Sequence, residues 1–254
     1  MFKIYKKTIK RIFNLLGFEI RKKPKFGKVL DYNDIYKIKL TSVNPIIFDI
    51  GGNKGQSIER FLKCFSNPKI YSFEPNPDDF KYLVKKYQNN KNIILNNIAL
   101  GDEISTIPLN VSINTGNSSF YAFKKNTEWM RIRSNQFNTT AEKYIEKIVK
   151  VNCTTVNSFC QKNKIDKIDL LKIDTQGYED KILSGSSDLI DKKKIEFIEL
   201  EIMLDEVYEK TMSFYDIESK LSNNYKLYGI DYQGFKNLSE GYMFAIDALY
   251  KKIK

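Results

Sequence analysis

The chain has 254 residues, with 42 Lys or Arg against 31 Asp or Glu for a formal charge of +11, no histidine and three cysteines. That length fits one α/β domain with a short appendage better than two full domains. The missing histidine excludes a Ser-His-Asp hydrolase, a Cys-His thiol enzyme, a histidine-ligated metal and an imidazole base, while Cys64, Cys153 and Cys160 offer no C-x-x-C pair, which leaves no disulfide framework or zinc site and fits a reducing cytosol.

The positive charge is an N-terminal property. Residues 1–28 hold ten Lys or Arg against Glu19 alone, a net of +9 that leaves +2 for everything after. Within them Tyr5, Ile9, Ile12, Phe13 and Leu16 follow helical spacing, with Lys6, Lys7, Lys10 and Arg11 on other faces and Gly17 as the stop. Two readings of this basic amphipathic helix stand side by side. It can lie on an anionic membrane surface, each basic group contributing about 1 kcal/mol near the headgroups, or it can pack on the domain beside a solvated charge run. No run of about 18 apolar residues is present to span a bilayer, and charge interrupts the apolar residues where a signal peptide would need a continuous core. The expectation is a cytoplasmic protein with, at most, peripheral contact at the inner face of the membrane through residues 1–28. Residues 1–44 are read as the arm and 45–254 as the folded domain, and the near-neutral domain speaks against a nucleic-acid partner.

From Pro45 onward apolar runs alternate with helical patterns, which predicts a parallel sheet with crossover helices. The first strand, at residues 46–50, runs into IIFDIGGNKGQS, and a helix follows over 56–65. Strand, glycine turn and helix in this order read as a cofactor site in preference to a tight turn without a ligand, because Gly51, Gly52 and Gly55 permit positive φ and close backbone approach and Glu74 falls where such a site needs an acid. The second strand, at 70–73, ends in Glu74, placed to accept hydrogen bonds from both hydroxyls of an adenosine ribose. NAD would use the same geometry. The glycines are spaced G-G-x-x-G rather than G-x-G-x-x-G, however, and Asp49 beside the turn suits the cationic amino acid end of S-adenosylmethionine (SAM) and repels a pyrophosphate. SAM is the favoured cofactor, with Asn53 in the turn and, after a third strand at 93–97, Asn97 and Ala99 toward the adenine edge.

A helix over 77–87 separates the second and third strands. The polar insertion at 110–150 emerges at the edge where α/β sheets bind ligands and is read as a lid. Its Trp129, Arg131 and Arg133 offer stacking on a sugar or a hold on an anion, though packing is the commoner fate of a tryptophan. The fourth strand, at 170–173, carries Lys172 and delivers Asp174 to the sheet edge. Period-two alternation puts both on one face, so Asp174 is assigned as general base or acceptor-orienting acid and Lys172 as its charge partner. Gln176 and Gly177 are read as shaping the turn beyond. Glu179 opens a helix over 178–184. Glu199 and Glu201 share a face of the fifth strand, at 197–202, and Glu201 is taken as a second carboxylate. Asp174 and Glu201 holding a Mg2+ ion is weighed and not favoured over a site without metal. After a helical segment near 208–221, two strands at 226–231 and 243–250, joined through Gln233 and Gly234, must pair antiparallel. A mostly parallel seven-stranded sheet with an antiparallel C-terminal strand is the Rossmann-like class I SAM methyltransferase fold.

With these residues placed, the chain resembles the FkbM family of SAM-dependent methyltransferases. The blocks that carry the resemblance, in order, are FDIGGNKGQ, FEPNP, NIALGD at 97–102, NTGNSSF at 114–120 and LKIDTQGYEDKILSG at 171–185, and they span roughly residues 45–201. Gly52 and Asn53 stand where many members have Ala and Asn, and Gln176 stands where many have Glu. The resemblance implies transfer of a methyl group to an oxygen, often on a sugar or a polyketide-like product. A carbohydrate, glycolipid or related small-molecule acceptor is therefore expected. The alternative is a non-catalytic SAM- or nucleotide-binding module held at a membrane by its arm. Oligomeric state is not legible.

Overall fold

The computed structural model describes residues 31–232 and 244–253, with Phe13, Leu15 and Gly17 besides. The remainder of the amphipathic helix read before Gly17, and the Gln233–Gly234 joint, lie outside the described residues. The chain runs through α1 (Tyr32–Lys39), β1 (Ile46–Ile50), α2 (Gln56–Cys64), β2 (Lys69–Phe73), α3 (Pro77–Tyr87) and β3 (Ile93–Asn96). It continues with β4 (Ala99–Leu100), β5 (Ser105–Ser112), α4 (Glu128–Gln136), β6 (Ile145–Thr154) and α5 (Val156–Lys162). The last part holds β7 (Ile168–Ile173), α6 (Glu179–Ser184), α7 (Ser187–Asp191), β8 (Ile195–Met203), α8 (Phe214–Leu221), β9 (Tyr225–Tyr232) and β10 (Ala245–Lys252).

Seven strands form the main sheet in the order β3-β2-β1-β7-β8-β10-β9, parallel except for β10, which runs antiparallel to both neighbours. This is the class I methyltransferase arrangement the sequence predicts. Alternation along each strand feeds two cores. Ile47, Ile70, Leu170, Phe197 and Leu249 pack with α1, α2 and α3 on one face. Phe48, Phe73, Leu171, Ile198 and Tyr250 pack with α5, α6, α7 and α8 on the other. Burying both faces requires the near-continuous apolar strands seen in β1 and β7.

Two expectations are corrected here. The boundary at Pro45 falls inside the packed unit, since α1 buries Tyr32, Ile35 and Tyr36 against the sheet and Tyr32 donates its hydroxyl to the Asp247 carbonyl at 2.6 Å. The insertion is also more than a polar lid. Its two ends are the strands β5 and β6, which pair antiparallel from Ser105↔Cys153 onward and, with β4, make a second three-stranded sheet. Pro108 is tolerated because β5 is an edge strand.

The glycine turn after β1 needs positive φ at Gly51 (86°) and Gly55 (84°). The close approach these glycines permit is to protein. A Cβ on Gly51 would sit 1.9 Å from the Asp174 carbonyl oxygen, and one on Gly55 would sit 2.6 Å from the Tyr87 hydroxyl. The ends of β1 and β7 are thereby drawn together, which sets where Asp174 stands.

Candidate active site

A cavity of about 960 Å³ opens beyond the carboxyl ends of β1, β2, β7 and β8. Its floor is Gly51 and Asn53 from the turn after β1, Glu74 from the end of β2, Lys172 and Asp174 from β7, and Glu201 from β8. The insertion supplies the roof, through the 3-10 turn Thr115–Asn117 and through Trp129, Arg133 and Gln136 of α4.

Glu74 leaves β2 buried, and its carboxylate accepts from the Asn53 amide at 2.6 Å and the Asn76 amide at 2.8 Å. The carboxyl group lines the cavity with hydrogen-bonding capacity beyond those two bonds. Burial pushes this carboxyl up to about 8, against the pull of the two amides. Asn76 also caps α3 through its side chain, with Pro77 at the first helical position. Asn53 bridges the turn to Asp79 at 3.2 Å and to the Thr115 hydroxyl at 3.1 Å, tying floor to roof.

A buried polar row crosses the sheet beneath this floor. Asp49, Lys172 and Glu199 stand in register on β1, β7 and β8. Asp49 is fully buried and does not line the cavity; one oxygen takes the Ser72 hydroxyl at 3.1 Å, and the other has no hydrogen bond and lies 3.8 Å from the Lys172 ammonium. Burial holds its pKa above the ordinary value. Glu199 is taken up by Arg60 at 2.6 Å and by the Tyr36 hydroxyl, so it ties α1 and α2 to the sheet. It contributes nothing to the cavity lining.

Lys172 donates to Asp174 at 3.0 Å. Burial alone would lower the ammonium, and the Asp174 and Asp49 charges outweigh it and keep Lys172 protonated. Asp174 also accepts from the Gln176 amide at 3.0 Å. Burial works to raise it, but Lys172 and that amide hold it below the ordinary carboxylate range. Glu201 moves the opposite way, raised by burial and then by the Asp174 charge. The two carboxyl groups are thus pushed in opposite directions, Asp174 toward the ionised form and Glu201 toward the protonated one, a division that adjacent carboxyl groups favour.

The pair does not fit Mg2+. Gln176 donates from the same nitrogen to Asp174 at 3.0 Å and to Glu201 at 2.6 Å, so an amide occupies the place a cation would need. The ion prefers near-octahedral oxygen ligands, and no group of three or more His, Cys, Asp or Glu suited to a metal occurs among the described residues.

Gln176 does more than shape the turn after β7. It holds φ at 58° and accepts the Tyr208 hydroxyl at 2.8 Å, while its carbonyl takes the Ser119 hydroxyl at 2.6 Å. It therefore joins β7, β8, the insertion and the segment after β8. Nothing in local sequence marks Tyr208 for this role. Glu179 fixes the same turn by accepting from the amide and hydroxyl of Thr175, both at 3.0 Å, and burial pushes it up to about 7. Asn97 donates to the Glu74 and Pro75 carbonyls at 2.8 and 3.1 Å and so holds the loop after β2. Ala99 is buried in β4 opposite Cys153, away from the cavity. Gly52 and Gly55 shape the turn without lining the cavity. Trp129 is packed among Phe123, Tyr144 and Tyr208, and Arg131 pairs with Glu128 on its own helix.

The raised carboxyls give the ligand-free protein a pH signature. Glu74 and Glu179 hold protons in the folded state that the unfolded chain has released, so their stabilising contribution is complete below the ordinary value of 4.5. It is lost as pH rises through about 7 for Glu179 and about 8 for Glu74. Asp174 acts in the other direction only near and below 3.8, outside this window. The thermal midpoint is expected to fall between about pH 5 and about pH 8, and Glu74→Gln should flatten much of that fall. An unchanged slope in the variant would show that Glu74 is not the titrating group.

The family model for the methyltransferase FkbM domain matches residues 49–229 of this chain. The chain belongs to the FkbM methyltransferase family. The curated 2-O-methyltransferase NoeI of Sinorhizobium fredii is 24% identical over 170 residues, covering 67% of this chain and 68% of that protein. Among solved structures, a putative methyltransferase, yhhF, from Escherichia coli superposes with a TM-score of 0.42 at 10% identity, covering 92% of this chain and 93% of its own. A SAM-dependent methyltransferase from Aquifex aeolicus gives 0.42 at 11% identity, with 85% and 87% covered. Likenesses of that size speak to neither cofactor nor acceptor. Four of the five FkbM-like blocks reach the cavity: the glycine turn, FEPNP, NTGNSSF and LKIDTQG. The fifth, NIALGD, supports it from behind through Asn97.

Proposed function

We propose that this FkbM methyltransferase takes SAM and transfers its methyl group to a hydroxyl oxygen of a carbohydrate, glycolipid or related small-molecule acceptor. One observation carries the reading. A single cavity holds a ribose-type carboxylate, Glu74, above a glycine turn at one end and an ionised carboxylate, Asp174, presented by β7 toward its middle. The lining fits SAM, since Glu74 faces the cavity beside the glycine turn with its carboxyl group held in place by the Asn53 and Asn76 amides. When bound, SAM supplies an electrophilic methyl on a sulfonium.

Asp174 accepts a hydrogen bond from the acceptor hydroxyl and takes its proton. A low pKa does not disable it, because the oxygen becomes strongly acidic as its bond to carbon forms. Lys172 and Gln176 fix the carboxylate in place, and holding reactants in line can remove roughly 7 to 11 kcal/mol of a barrier. Glu201 is a second hydrogen-bonding group on the same wall. Transfer to oxygen, rather than to another atom, is supported by the described 2-O activity of NoeI.

Calorimetry with SAM and S-adenosylhomocysteine, with NAD as control, tests the cofactor. Binding of the first two, weakened about tenfold or more in Glu74→Ala, is the expected result, and labelled methyl transfer to glycans then tests the acceptor. No binding of either sulfur compound would sink the reading.

A further inference from the structure

Arg133 is the one cation lining the cavity without a carboxylate partner among the described residues. Lys172, the other lining cation, is engaged by Asp174 at 3.0 Å and Asp49 at 3.8 Å. The Arg133 guanidinium lies 5.4 Å above the Trp129 ring and donates to Gln136 at 2.8 Å. Stacking on an aromatic face and a neighbouring amide orient it without neutralising it. Its remaining donors form a planar fork suited to a carboxylate or phosphate.

Its position tells which ligand it meets. Trp129 belongs to a cluster with Phe123, Tyr144, Tyr208 and Phe244, against which Met203 at the end of β8 packs. That is the β8–β10 side of the cavity. The glycine turn and Glu74, where the nucleoside belongs, lie on the β1–β2 side, with Asp174 between. We propose that Arg133 forms an anion subsite for the acceptor, so that the substrate is an acidic sugar, bearing a carboxylate or a phosphate ester near the hydroxyl that is methylated. This rests on the reading that the cavity holds cofactor and acceptor side by side.

Trp129 is the only tryptophan of the chain, so its emission reports on the group stacked over it. Protein saturated with S-adenosylhomocysteine is titrated with glucuronate, glucose 6-phosphate and glucose while that emission is followed. The expected result is a saturable change with an acidic sugar and none with glucose, weakened about tenfold or more in Arg133→Gln and partly kept in Arg133→Lys. Which acidic sugar responds identifies the anion. S-adenosylhomocysteine affinity, measured by calorimetry, should be unchanged in both variants. A loss there would assign Arg133 to the cofactor carboxylate and overturn the proposal. An equal response to glucose, no response to either acidic sugar, or an acidic response unchanged in Arg133→Gln would overturn it as well. The titration reads binding alone, so failure to methylate any glycan would count against the proposed function and leave this result standing.

Discussion

Asp174→Asn should lower methyl transfer by about 10²- to 10⁴-fold, the contribution usual for a placed base, while S-adenosylhomocysteine binding stays close to that of the parent. Asn fills the same volume, and its one oxygen can still accept from Lys172, while the Gln176 amide, which donates to the other oxygen of Asp174, gives up that bond and keeps the one to Glu201. What disappears is the negative charge that draws the proton from the acceptor oxygen. Because that charge sits below the ordinary carboxylate range, the rate of the parent enzyme should not fall on the acid side until well below neutrality. Single-turnover rates with labelled SAM read the effect directly. A rate within a few-fold of the parent would remove Asp174 from proton transfer and leave it an orienting group. Glu201→Gln is the matched control: burial and the Asp174 charge push Glu201 toward its neutral form, so this change should cost far less.

Sequence marked the floor of the site better than its roof, and the reason is physical. The floor is built from strand ends and turns, where local rules are strict: positive φ at Gly51 and Gly55, an acid closing β2, period-two alternation that carries Lys172 and Asp174 to the edge of β7. The roof depends on pairing between distant segments. β5 and β6 alternate in the expected way at Ile107, Leu109 and Val111 and at Val149, Val151 and Cys153. Their partly exposed faces carry Thr106, Asn110 and Lys150, however, and a polar insertion drawn from Asn110 to Lys150 cut through the middle of both strands. Gln176 and Tyr208 were illegible for the same reason. Their meaning lies in a contact across 32 positions, which no local pattern announces. Asp49 is the instructive intermediate case. Its place beside the turn was legible, but not its burial beneath it, because that depends on Ser72 and Lys172 arriving from two other strands.

That buried row sets the largest stability effect. Lys172→Met should destabilise the protein by about 3 to 5 kcal/mol, the usual cost of removing one member of a buried ion group, from a total of about 5 to 15 kcal/mol for a folded chain. The damage falls on Asp49. It has no exposure, one of its oxygens has no hydrogen bond, and Lys172 is the nearest cation. Its escape is to take up a proton, which at pH 7 against an ordinary value of 3.8 costs about 4 kcal/mol at about 1.4 per unit. The loss is therefore bounded near that figure and must shrink as the pH falls. Urea midpoints for Lys172→Met should rise between about pH 7 and about pH 5, because the raised folded-state value of Asp49 makes the variant bind a proton on folding. Asp49→Asn combined with Lys172→Met should recover much of the stability at pH 7, since the group left behind is then neutral. Asp174, still partly exposed at 34% and held by Gln176, needs no such relief. A double variant no more stable than Lys172→Met alone would show that the ammonium acts through packing or through Asp174, and not by neutralising the carboxylate beneath the glycine turn.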